Sequence, residues 1–127
     1  MKKYMAVFGL AVPLLVGFLT TASAQDWMKV NPKMLNLLVD TTIVRAYVVT
    51  LAPGEKSGIH SHPSEFFYAL TDGKINVYYV GSDTVLYDLK AGESGFSDPE
   101  RPHWVQNIGK KAVKWIEVEF KEHPFKE

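Results

Sequence analysis

Apolar residues in this chain recur in short runs with a period of two, broken by Gly, Pro, Asp and Asn. The runs are Leu35 to Val39, Thr42 to Leu51, Phe66 to Leu70, Lys74 to Val80, Thr84 to Leu89, Trp104 to Asn107 and Val113 to Lys121. They are rich in β-branched and aromatic residues, which suit a pleated, half-buried surface. Between Gln25 and Glu127 there is no helix-period stretch, internal repeat or linker. The pattern predicts an all-β domain, a small antiparallel barrel or double sheet. Asp72-Gly73 is expected to turn one hairpin and Gly81-Ser82-Asp83 the next. In the last run Ile116, Val118 and Phe120 share one parity and are expected inside. Trp115, Glu117 and Glu119 share the other, and the acidic face is expected to meet solvent or a partner.

One apolar stretch does not belong to this pattern. Met1-Lys2-Lys3 gives a short positive start, Ala6 to Leu19 is almost uninterrupted apolar sequence, and Ala22-Ser23-Ala24 sets small residues before Gln25. This reads as a secretory signal peptide, residues 1–24, with the mature domain at 25–127. The apolar run is shorter than the ~20 residues of a spanning helix, so no membrane association is expected after cleavage. The protein is expected to be exported, to a periplasm or to the medium. Cleavage would leave 103 residues, room for one core. The chain has no cysteine, so neither disulfides nor thiolate metal ligands are available. Without Lys2 and Lys3 there are 12 basic and 14 acidic residues, which gives no reason to expect nucleic acid as a partner.

Chemistry concentrates in Gly54-Glu55-Lys56-Ser57-Gly58-Ile59-His60-Ser61-His62. Two residues apart on an extended strand, His60 and His62 project from the same face and can hold one cation. A third histidine stands in Arg101-Pro102-His103-Trp104-Val105-Gln106-Asn107. Gly54-x5-His60-x-His62 with Gly73 downstream, followed by Gly92-x10-His103-x3-Asn107, resembles the two motifs of the cupin family from about Thr42 to Phe120. The resemblance implies a small barrel whose paired strands bring His60, His62 and His103 to one divalent metal.

This sequence departs from the family pattern at the carboxylate ligand. The family position falls on Phe66, and Glu65 lies one residue early. A one-residue shift reverses the face, so a regular strand places Phe66 beside a three-histidine metal, whereas a rearranged loop would swing Glu65 inward. The first arrangement is the expectation adopted. Tyr68 shares parity with Phe66 and is expected to face the cavity as a proton donor, as are Tyr78, Tyr79 and Tyr87 in lesser degree. Asp98 and Glu100 replace the family's Pro and Gly before the histidine. Arg101 is expected near the mouth as a grip for an anionic substrate, with Glu100 orienting His103; local ion pairing in an exposed loop is the simpler alternative. Trp27, Trp104 and Trp115 suit a core or a dimer interface, and His123 a solvated tail.

Imidazole ligands suit Fe, Mn, Ni, Cu and Zn alike, and an open coordination position distinguishes a reactive from a structural metal. Three-histidine sites in the cupin family occur among thiol and β-diketone dioxygenases. A metal-dependent enzyme acting on a small molecule follows, with iron first among the metals and a dioxygenase as the leading subclass. Glu65 and Tyr68 are the candidate catalytic residues, and Phe66 and Arg101 the candidate pocket residues. A non-redox isomerase, cyclase or lyase and a non-catalytic metal-, sugar- or protein-binding module are the alternatives. A homodimer is expected, with Trp115 suited to its interface.

Overall fold

The predicted runs fold into strands that cross two facing sheets. The computed structural model describes residues 25–126, so the segment read as a signal peptide lies outside the described residues. The elements are β1 (Gln25–Asp26), α1 (Trp27–Val30), β2 (Leu35–Asp40), β3 (Val44–Leu51), β4 (His60–His62), β5 (Glu65–Ala69), β6 (Gly73–Tyr79), β7 (Thr84–Leu89), β8 (Ser94–Ser97), β9 (Glu100–Asn107) and β10 (Val113–Phe120). One five-stranded sheet has the order β1-β4-β9-β6-β7 and the other β2-β3-β10-β5-β8. All pairings are antiparallel except the short β1–β4 pair, which is parallel. The sheets do not close into a continuous ladder. The all-β jelly-roll expectation holds as a double sheet.

Alternating side chains from both sheets meet between them. Trp27, Tyr47, Val49, Leu51, Val77, Val105, Val113 and Trp115 form the centre of this core. Asn107 locks one end of it. Its buried amide donates to Leu51 O at 2.9 Å and Lys111 O at 2.8 Å, and its carbonyl accepts from Gly109 N at 2.8 Å. Gly54 begins the first motif in the left-handed region, at φ 77°, which a side chain rarely adopts.

Two expectations about strand geometry are corrected. Gly81-Ser82-Asp83 does join the β6–β7 hairpin, but Asp72-Gly73 does not make one. β5 pairs with β8 and β10, whereas β6 pairs with β7 and β9, so the chain crosses between sheets at that point. The faces of β10 are also the reverse of those expected. Trp115, Glu117 and Glu119 are buried at 5%, 2% and 1% exposure, while Ile116, Val118 and Phe120 lie on the outer face. Apolar content fails as a guide here because the interior carries a polar site and the outer face is apolar. Trp115 is therefore core, its indole N–H donating to Glu117 at 2.9 Å, and is not an exposed interface residue.

Candidate metal centre

Strand register builds the site. On β10, Glu117 lies opposite Tyr47 of β3, and Glu119 lies opposite both Arg45 of β3 and Glu65 of β5. Directly opposed residues project to the same face, so three carboxylates enter the interior together. On the facing sheet β4 and β9 set His60 opposite His103. His60, His62 and His103 are 0%, 2% and 2% exposed. Their ring centroids are 4.5 to 5.2 Å apart, and one ligand nitrogen from each lies within 4.8 Å of the others.

Two of the tautomers follow from the hydrogen bonds. His60 Nδ1–H donates to Gly58 O at 2.8 Å and His103 Nδ1–H to Arg101 O at 2.8 Å. A carbonyl only accepts, so both rings turn an unprotonated Nε2 elsewhere. His60 Nε2 is buried without a hydrogen-bond partner. Burial, reinforced by the neighbouring imidazoles, pushes His60 down to about 2 and His103 down to about 4, so both are neutral at physiological pH. Neutral, oriented imidazoles with free Nε2 atoms are what a divalent ion requires. The residues fit the group.

His62 is held differently. Its Nδ1 lies 3.0 Å from Glu119, 3.1 Å from Glu117 and 3.3 Å from Glu65. Burial opposes protonation of this ring, but the carboxylates overcome it and raise the His62 pKa. Tyr47 O–H reaches Glu117 at 2.6 Å and Glu119 at 2.7 Å, and Arg45 bridges Glu119 and Asp26. His62, Glu117 and Glu119 also have metal-like spacing, but these hydrogen bonds already engage both carboxylates. The histidine triad, with its orphaned Nε2, is the stronger centre. Desolvation and the neighbouring negative charge of Glu117 hold Glu65 well above the usual carboxylate range.

The structure separates the candidate residues sharply. Glu65 faces inward at 7% exposure, but it sits beyond His62 rather than among the triad nitrogens. Phe66 and Tyr68 are 37% and 42% exposed on the outer face, correcting their placement beside the metal and in the cavity. β5 runs regularly opposite β10, so the parity that brings Glu65 in sends both aromatics out. Arg101 is exposed, with its guanidinium 5.0 Å from the Tyr79 ring, and does not line the cavity. Glu100 does line it and contacts His103 at Nε2, 3.4 Å away, so it does not orient the ring through Nδ1. Tyr87 also borders the cavity, whereas Tyr78 stacks on Trp104 at 3.8 Å.

Two contributors were missed in the sequence. Trp27 stacks on His60 at 4.3 Å with an interplanar angle of 14°. Asp26 places it there by capping α1 through Met28 N at 2.9 Å and pairing with Arg45 at 2.8 Å. An Asp immediately before the first helical residue was the available signal. The second contributor is the Tyr47–Glu117–Glu119 cluster, which alternation assigned to solvent. The cavity between the sheets is about 60 Å³, lined among others by His62, His103, Glu65, Glu100, Glu117 and Trp27. That is room for an ion and a few water-sized groups.

A two-sheet β fold with a buried histidine triad at this spacing is the cupin arrangement. The chain belongs to the cupin domain family, whose model matches residues 47–119. Oxalate decarboxylase OxdC of Bacillus subtilis is 27% identical over 86 residues, covering 65% of this chain and 22% of that protein. The chain thus corresponds to less than a quarter of that relative's length. Among solved structures, a cupin domain from Bordetella pertussis aligns with TM-score 0.64 and 22% identity, covering 68% of this chain and 91% of that one. A double-stranded β-helix protein from Klebsiella pneumoniae aligns at 0.57 and 19%, covering 68% and 75%. At these identities the structural likenesses show the fold.

Proposed function

We propose that this protein is an exported, metal-dependent enzyme acting on a small uncharged molecule, with oxidative cleavage by dioxygen as the leading chemistry. The observation that carries the reading is the pair of neutral imidazoles whose Nε2 atoms face the interior, one of them buried without a partner. His60, His62 and His103 would hold a divalent ion, iron first, with Mn, Ni, Cu or Zn as the other candidates. When bound, that ion supplies Lewis acidity and, for iron, one-electron redox chemistry to a chelating substrate. The chain's own residues do the rest. Glu65 holds a proton beside Glu117, Trp27 and Trp115 exclude water, and Glu119 with Glu117 fixes the His62 ring. Among the described residues no Arg or Lys lines the cavity, while Glu65, Glu100 and Glu117 do, which disfavours a dicarboxylate such as the oxalate named for the relative.

Protein recovered from the exported fraction and loaded anaerobically with Fe(II) should consume oxygen with a β-diketone, thiol or phenol. Its intact mass should correspond to a chain beginning at Gln25. No stoichiometric metal in the natively matured protein would refute the central reading. The buried, inward-facing Glu65 beside His62 favours one second reading, a non-redox isomerase, cyclase or lyase. In that case Zn(II)- or Ni(II)-loaded protein turns over without oxygen, and Glu65→Gln abolishes turnover while metal stays bound.

A homodimer fits a surface other than Trp115. Phe66 lies opposite Val118 and Phe96, and Tyr68 opposite Ile116, so an uncharged apolar band crosses the outer face of the β2-β3-β10-β5-β8 sheet. The five strands present a face of at most roughly 20 by 25 Å, the size of one side of a small interface. A second copy, apposing the same apolar face about a two-fold axis, is the proposed occupant. Sedimentation velocity should show a dimer at micromolar concentration that Phe96→Lys dissociates; a wild-type monomer would refute this.

A further inference from the structure

We infer that Glu100, from β9, supplies a carboxylate ligand to the ion at His60, His62 and His103. The inference rests on the reading of that triad as a metal site. Glu100 Oε2 lies 3.4 Å from His103 Nε2. His103 has already committed its Nδ1–H to Arg101 O, so Nε2 presents a lone pair. A carboxylate oxygen without a proton also presents lone pairs. Two such atoms facing each other in a buried site repel unless a cation lies between them or a proton is added. The other oxygen, Oε1, accepts from Tyr79 O–H at 3.4 Å, which anchors the carboxylate on the cavity side.

A strand irregularity puts Glu100 there. Residues three apart on a regular strand point to opposite faces, so Glu100 and His103 should not meet. The β4–β9 register runs His60 to His103 and His62 to Glu100, two residues on one strand against three on the other. The extra residue is a bulge, and bulges re-aim side chains. Glu100 thereby joins His62 on the inner face. The vacancy left by outward-facing Phe66 on β5 is answered by a carboxylate from the opposite sheet. Glu65, the nearer residue in sequence, is spent on the proton cluster at His62.

An oxygen ligand favours the harder ions of the divalent series, whereas an all-imidazole site favours Ni(II) and Cu(II). Chelator-stripped wild type, Glu100→Gln, Glu65→Gln and His60→Ala proteins should be titrated calorimetrically with Mn(II) and with Ni(II), and Co(II) visible spectra recorded. Glu100→Gln is expected to weaken Mn(II) by about tenfold or more, Ni(II) by much less, and to shift the Co(II) bands. Glu65→Gln is expected to keep the wild-type Mn(II)-to-Ni(II) ratio and spectrum. Should Glu100→Gln fail to fold, Glu100→Asp, which withdraws the oxygen but keeps its charge, should give the same shifts. The assignment is overturned if Glu100→Gln keeps the wild-type ratio and spectrum, or if Glu65→Gln changes them equally. If His60→Ala binds both ions as wild type does, the triad reading falls and Glu100 with it. If His60→Ala abolishes binding while Glu100→Gln changes nothing, only the Glu100 assignment falls.

Discussion

Tyr47→Phe removes one oxygen from the middle of the carboxylate cluster and leaves the ring in place. The Tyr47 side chain is fully buried, and its hydroxyl proton serves Glu117 Oε1 at 2.6 Å and Glu119 Oε1 at 2.7 Å. A hydrogen bond to a charged acceptor contributes about 1.5–3 kcal/mol, and burying an acceptor that has lost its donor costs more. Glu119 keeps Arg45 and His62, and Glu117 keeps the Trp115 indole and His62, so the loss is bounded at about 2–4 kcal/mol. Against total stabilities of about 5–15 kcal/mol this is a large fraction. At roughly 4–8 °C per kcal/mol for a domain this size, melting should fall by about 8–32 °C. Urea unfolding of metal-stripped protein at neutral pH, with unchanged denaturant sensitivity, is the assay. Tyr47→Phe/Glu117→Gln should be no less stable than Tyr47→Phe, because the penalty comes from the unpaired carboxylate. A loss under about 0.5 kcal/mol, or strictly additive losses in the double variant, would refute the reasoning.

Other outcomes test other parts of the structure. Asn107→Ala removes three buried hydrogen bonds and should cost about 2–4 kcal/mol by urea unfolding, with the metal ligands untouched. Phe66→Ala and Tyr68→Phe should leave metal affinity within about twofold, since both side chains face away from the triad; a tenfold loss in either would restore them to the site. The pairing with Arg45 outweighs burial and lowers the Asp26 pKa below its usual 3.8. A depressed carboxylate stabilises the fold above its unfolded pKa, and that contribution is lost as pH falls through the folded value. Acidification below about pH 4 should therefore loosen the N-terminal segment and expose Trp27 to acrylamide quenching. Asp26→Asn should show the same exposure at neutral pH; unchanged quenching would sink the proposed tether.

The strands were legible where burial was apolar. Every predicted run overlaps a strand nearly end to end except Trp104 to Asn107, which covers only the second half of β9, because period-two alternation of β-branched and aromatic residues reports a pleated surface directly. β8 was missed because Ser94–Ser97 offers only Phe96 as an apolar signal, and β4 was legible only through its His-x-His spacing. The grouping of His60, His62 and His103 was readable from spacing, since His-x-His fixes a common face. The carboxylates were not. Alternation identifies the two faces of β10 but cannot say which is inside, and Glu117 and Glu119 were assigned by hydrophobicity to the wrong one. What decides their face is Tyr47, Arg45 and His62 waiting opposite, and those lie 57 to 74 residues away in sequence.

The same inversion bears on mechanism. Strands that send Glu65, Glu117 and Glu119 inward while turning Phe66, Tyr68, Val118 and Phe120 to the outer face are costly unless both faces are used. Inside, four carboxylates with Glu100 face one guanidinium, so neutrality requires protons or a cation. The raised pKa of Glu65 accounts for part of that balance. Of the four, Glu100 stands 3.4 Å from the free Nε2 of His103, beside the position where a divalent ion would be held, while Glu117 and Glu119 reach that position only through His62. Metal binding and the acidic cluster are therefore coupled: replacing Glu117 or Glu119 by Gln should lower metal affinity although neither belongs to the histidine triad. The size of that loss measures how far the cluster serves the metal rather than the fold.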